Sequence, residues 1–114
     1  MMAIFTLEEA RQLLPQVKDM TQHYYDLVEA QRDALVDPDD AAEVARVEQR
    51  MNELLQEWVS AINALGVDVK GLWLADFDSG DGYYFCWKLG EADIEHFHRY
   101  ETGFAGRRPI ERLD

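Results

Sequence analysis

The feature that most restricts this chain is a change of apolar rhythm at Gly66. Before it, apolar residues recur every three or four positions. Leu7, Ala10, Leu13, Leu14, Val17, Met20, Tyr24, Leu27 and Val28 make one stripe; Val44, Val47, Met51, Leu54, Leu55, Trp58, Val59, Ile62 and Leu65 make a second. Such spacing lays an apolar stripe along each of two helices. After Gly66, residues 67–77 and 83–89 are rich in β-branched and aromatic side chains. Tyr83, Phe85, Trp87 and Leu89 alternate there with Tyr84, Cys86 and Lys88, as on the two faces of a strand. Asp78-Ser79-Gly80-Asp81-Gly82 joins the two runs as a hairpin loop.

Local signals set the boundaries. Thr6 followed by Glu9 is a capping box that starts the first helix. Pro15 removes a hydrogen bond to the Arg11 carbonyl and predicts a kink or break there. Asp37-Pro38-Asp39-Asp40 is a turn and a second helix start, and Gly66 is a C-cap. Two helices of ~25 residues joined by a short turn predict an antiparallel hairpin about 40 Å long. Glu91–Tyr100 reads as a short helix and Gly103–Asp114 as an irregular tail. The expectation is therefore an α+β fold: a long antiparallel helical hairpin over about 6–65, a two-stranded β-hairpin over about 67–89, and a short C-terminal helix and tail over 91–114. With 114 residues and no linker, residues 1–114 are expected to form a single domain.

Charge narrows the partners. Acidic residues outnumber basic ones by 23 to 11, a formal charge of −12. Phosphate backbones and anionic membranes repel such a surface, so neither nucleic acid nor membrane is an expected partner. No apolar run approaches the ~20 residues of a membrane helix. The lone cysteine, Cys86, allows no internal disulfide, and no basic stretch and apolar run open the sequence; the cytoplasm is the expected location. A lone helical hairpin covers one side of each stripe, and Tyr24, Tyr25 and Trp58 need cover. A homodimer joined as a four-helix bundle is expected to supply it.

Several blocks resemble a known family. Phe5-Thr6-Leu7-Glu8-Glu9-Ala10 with Leu13-Leu14-Pro15, and Leu65-Gly66-Val67-Asp68-Val69-Lys70 with Asp76-Phe77, are two of them. Tyr84-Phe85-Cys86-Trp87-Lys88-Leu89-Gly90-Glu91, then Ile94, His98 and Gly103-Phe104-Ala105-Gly106-Arg107-Arg108-Pro109-Ile110, are the closest. Over nearly the whole length the chain resembles the bacterial family called domain of unknown function 2203. The resemblance implies no reaction. It implies that Asp76, Glu91, His98, an acid at Glu101, and Arg107 belong to the family's polar pattern. Two departures are Phe97, where a tryptophan is expected, and the acidic hairpin loop.

If residues 91–101 are helical, Glu91, Glu95 and His98 share a side and Glu101 lies one turn further. Glu91, His98 and Glu101 would then be candidate ligands for a transition metal, Zn, Mn or non-haem Fe. Glu95-x-x-His98 matches the step used in carboxylate-bridged di-iron bundles, for which a dimer would have to supply the second copy. The plainer alternative has Glu91 capping the helix, His98 making one buried hydrogen bond and Glu101 pairing with Arg107. Arg107 and Arg108, between glycines, are candidates for holding an anion or a protein partner. Asp76, Cys86 and Trp87 are supporting positions; Cys86 reads better as a small buried hydrophobe than as a thiolate, and Trp87 as core. His96 is expected to be exposed. The loop at 76–82 fails the calcium pattern at its essential glycine and closing glutamate. The functional expectation is a small binding or assembly module, with a metal-binding protein or metal-dependent enzyme as the alternative.

Overall fold

In the computed structural model, which describes residues 3–113, helix α1 runs over Leu7–Asp33 and helix α2 over Ala41–Ala64. The capping box is formed: the Glu9 amide donates to Thr6 Oγ1 at 3.1 Å and the Thr6 amide to Glu9 Oε1 at 2.9 Å. Pro15 lies inside α1, which stays helical through it, with its ring on the exposed side. The Asp40 side chain caps α2, and Glu43 accepts the amides of Val36 and Asp37 at 2.9 and 2.7 Å, closing the turn between the helices. Gly66 has φ 84°, a left-handed conformation, and a Cβ there would lie 2.7 Å from Ala3 Cβ, so glycine is required.

A five-stranded antiparallel sheet follows, where two strands were expected. Its strands are β1 (Asp68–Gly71), β2 (Leu74–Asp78), β3 (Tyr83–Lys88), β4 (His96–Arg99) and β5 (Arg108–Pro109), in that order across the sheet. The stretch 67–77 is split by a tight turn in which Trp73 takes φ 61°. The predicted C-terminal helix is absent. Gly90, at φ 104°, turns the chain, and β4 pairs with β3 instead. Two-residue alternation explains the change: Phe97 is buried on the same face as its partner Phe85, while His96 and His98 point to the other face. The tail is also more ordered than expected. Two short 3-10 turns, Phe104–Gly106 and Ile110–Arg112, flank β5, and the Ile110 amide donates to the Glu95 carbonyl at 2.9 Å.

The core lies between one sheet face and the first half of α1 with the second half of α2. Ala10, Leu14, Val17, Trp58 and Ile62 pack on Ala75, Phe77, Phe85 and Trp87, with Ile94 from the β3–β4 loop. Full burial of a side chain such as Phe77 or Ile62 contributes roughly 1.5–3 kcal/mol. The buried Trp58 indole N–H donates to Thr21 Oγ1 at 3.0 Å. Arg11 and Lys18 of α1 donate to the carbonyls of Ile94 and Ala92 at 2.8 and 2.9 Å, which clamps the β3–β4 loop to the helix. The molecule measures 54 × 24 × 24 Å, because the far half of the helical hairpin extends past this core.

Candidate functional site

Strand alternation that sends Ala75, Phe77, Phe85 and Trp87 into the core sends Asp76, Tyr84, Cys86, His96 and His98 to the opposite face. Register brings them together: Asp76 lies opposite Cys86, Cys86 opposite His96, and Tyr84 opposite His98. Asp76 and His98 reach toward each other across β3, with Asp76 Oδ2 2.9 Å from His98 Nε2. Although they face away from the helices, both are buried, at 2 % and 3 % exposure, and Cys86 is at 0 %. The Tyr84 ring lies 5.4 Å from the His98 ring and 4.9 Å from that of Tyr100, and Lys70 Nζ donates to Tyr84 Oη at 3.1 Å.

The hydrogen bonds fix the histidine tautomer. His98 Nδ1 is 2.9 Å from the Arg99 carbonyl, which can only accept, so Nδ1 carries a proton. Nε2 therefore shares the remaining proton with Asp76. Burial pushes the Asp76 carboxyl above its ordinary range, and the His98 ring opposes that rise. Asp76 Oδ1 is buried without a hydrogen-bond partner among the described residues; the neighbouring Cys86 thiol favours the carboxylate. Burial, and then the Asp76 charge, push the Cys86 thiol far up, so it is protonated at neutral pH.

A second polar group sits beside this one. Glu91 accepts the Lys88 amide at 2.8 Å and Arg107 Nη2 at 2.8 and 2.7 Å, while its carbonyl accepts the Trp87 indole N–H at 2.8 Å. Arg107 Nη2 also lies 2.9 Å from His96 Nδ1, which must be the acceptor there, and the guanidinium stacks 4.6 Å above the Phe104 ring. This pair ties the C-terminal segment to the β3–β4 loop.

These placements correct the helical reading of residues 91–101. Glu91 is committed to Arg107, Glu101 is exposed in the turn after β4, and His98 is buried against Asp76. Glu91, His98 and Glu101 do not converge, because a strand, not a helix, carries the histidine. Among the described residues the one group of three side chains able to share a metal is Asp76, Cys86 and His98. His98 does make a buried hydrogen bond, and its acid is Asp76; Arg107 pairs with Glu91 rather than Glu101. His96, expected exposed, is about one-third exposed and held by Arg107. Trp87 is fully buried core.

On the helix-facing side of the sheet's far edge, alternation produces a different site. Arg99 follows Phe97 by two on β4, and Arg108 on β5 lies opposite Phe97. With Arg107 and Arg112 they line a cavity of about 380 Å³, together with Phe97, Thr102, Ala105 and Gly106. Four of the chain's 11 cationic side chains meet here. Arg99, Arg108 and Arg112 have no carboxylate within salt-bridge distance among the described residues. Arg108 was legible as an anion candidate; Arg99 and Arg112 were not, because only the β4–β5 pairing brings them together.

No curated protein and no solved structure shows a significant match to the chain. Residues 3–110 match the family described as an uncharacterized conserved protein, DUF2203, and the chain belongs to that family.

Proposed function

We propose that the protein is a small binding and assembly module whose ligand is a small anion, carboxylate or phosphate, held in the arginine cavity. One observation carries this reading: three arginines without carboxylate partners among the described residues gather around one concavity on a chain of net charge −12. Guanidiniums repel one another, and an anion between them converts that repulsion into paired, charge-assisted hydrogen bonds. The overall negative charge acts at long range, but salt screens it beyond about 8 Å, so close contact with the arginines decides binding. A cavity of this size falls in the usual range for small-ligand sites, ~300–1,000 Å³. Titrating the protein with inorganic phosphate and with citrate, followed by arginine side-chain NMR, tests the reading. Shifts should centre on Arg99, Arg108 and Arg112, and Arg108→Glu or Arg112→Glu should weaken binding at least about tenfold, or ~1.4 kcal/mol. Shifts spread over every cation, or unchanged by the reversals, would sink it.

The assembly half of the reading is a homodimer through the far half of the helical hairpin. Leu35, Val44, Val47 and Met51 are only half-buried there and Leu27 is exposed, although Val28 between the helices is buried. A second copy packed as a four-helix bundle would cover them.

A further inference from the structure

We propose that Asp76, Cys86 and His98 form a binding site for a divalent transition metal, zinc foremost, on the face of the sheet turned away from the helices. This goes beyond the anion reading and uses none of its residues. Each of the three offers one ligand atom, and those atoms all lie within 4.8 Å of one another. A tetrahedral zinc ion bound by sulfur, nitrogen and oxygen needs its ligand atoms about 3.3–3.6 Å apart. Ligation therefore needs side-chain rotations of the three residues, which stand on the adjacent strands β2, β3 and β4.

Two features of the cluster fit a metal ligand set. The first is Asp76 Oδ1, an oxygen on a side chain only 2 % exposed that has no hydrogen-bond partner among the described residues. Leaving a buried acceptor unmet costs stability, and native chains rarely do it without a reason. The second is the orientation of His98. Its Nδ1–H is anchored on the Arg99 carbonyl, which turns the Nε2 lone pair toward Asp76 and Cys86. Metal-bound histidines are commonly held this way, with the far nitrogen donating to a carbonyl or carboxylate.

Charge balance supports the same occupant. Binding would displace the thiol proton of Cys86 and the proton shared by His98 and Asp76, leaving a thiolate, a carboxylate and a neutral imidazole. Two negative charges then meet a divalent ion, and the buried group is neutral. The thiolate selects zinc, cobalt or ferrous iron over magnesium and calcium, which prefer oxygen. Three protein ligands leave a fourth position for water or for an atom of a bound molecule.

Cobalt titration of the chelator-stripped, reduced full-length chain tests the proposal. One equivalent should produce the visible bands of tetrahedral cobalt, a near-ultraviolet thiolate-to-cobalt charge-transfer band, and released protons. Cys86→Ser should abolish the charge-transfer band, and Asp76→Asn should weaken binding at least about tenfold. Added phosphate should leave these bands unchanged, since the arginine cavity is a separate site. No tetrahedral spectrum, a spectrum without the thiolate band, or full affinity in Cys86→Ser would overturn the assignment. If Cys86→Ser fails to fold by circular dichroism, the wild-type charge-transfer band alone decides, and its absence is fatal.

Discussion

Replacing His98 by leucine keeps much of the side-chain volume and removes both ring nitrogens, so Asp76 stays buried without its partner. Removing one member of a buried ion pair commonly costs about 3–5 kcal/mol. In this site the loss has a ceiling. A stranded carboxylate escapes by taking up a proton, and each pH unit above its unfolded pKa makes that cost 1.36 kcal/mol. From the ordinary aspartate value of 3.8, the ceiling is about 4 kcal/mol at about pH 7 and about 2 kcal/mol at about pH 5.5. The sign follows from the direction of the shift. Asp76 is already raised in the wild type, with His98 opposing, and loses that opposition in the variant. A carboxyl with a raised folded pKa leaves stability intact below its unfolded pKa and erodes it as pH rises toward the folded one. Urea unfolding of metal-free protein at the two pH values should therefore show His98→Leu falling further behind wild type at the higher pH, by up to about 2 kcal/mol, since wild-type Asp76 is itself raised and loses part of the same stability. Adding Asp76→Asn should flatten that dependence. A loss under about 1 kcal/mol at about pH 7, or the same loss at both values, would refute the reasoning.

Thr21→Val preserves shape but removes the acceptor of the Trp58 indole, and should cost about 1–3 kcal/mol in urea unfolding, with Thr21→Ser recovering most of it; a neutral Thr21→Val would show that the indole finds another acceptor. For assembly, sedimentation at tens of micromolar should give a dimer, and Leu27→Asp on the exposed far half of α1 should shift it to monomer without lowering helix content. A wild-type monomer under those conditions removes the four-helix bundle.

The helical hairpin was legible because its information is local. A capping box, an aspartate N-cap, a glycine at φ 84° and two long stripes each act within a few residues. The middle of the sheet was legible for the same reason, since β3 alternates cleanly and its loop is rich in turn residues. What sequence spacing did not give were the strands whose partners lie far along the chain. Two residues of β5 carry no period at all, and only the ladder to β4 makes them a strand. The turn at Trp73 was hidden because a tryptophan takes the left-handed conformation that a glycine would have advertised.

The most consequential error of spacing lies in β4, and it shows how one local choice rearranges a whole site. Glu91, His98 and Glu101 satisfy a helical spacing, and Ile94 and His98 are four apart, so a ten-residue window favours a helix. Ile94 and Phe97, both buried, are three apart, which is helical spacing as well. The deciding evidence is the aromatic-rich run His96-Phe97-His98, which suits a pleated strand, and the free edge of β3, which needs a partner. Once β4 pairs, a period of two divides its residues between two surfaces. His96 and His98 join Asp76 and Cys86 on one face, while Phe97 and Arg99 turn to the arginine cavity on the other. A helix would have mixed these groups around one axis and separated His98 from Asp76. The strand gives one short segment a part in both the buried Asp76–Cys86–His98 cluster and the arginine-lined cavity.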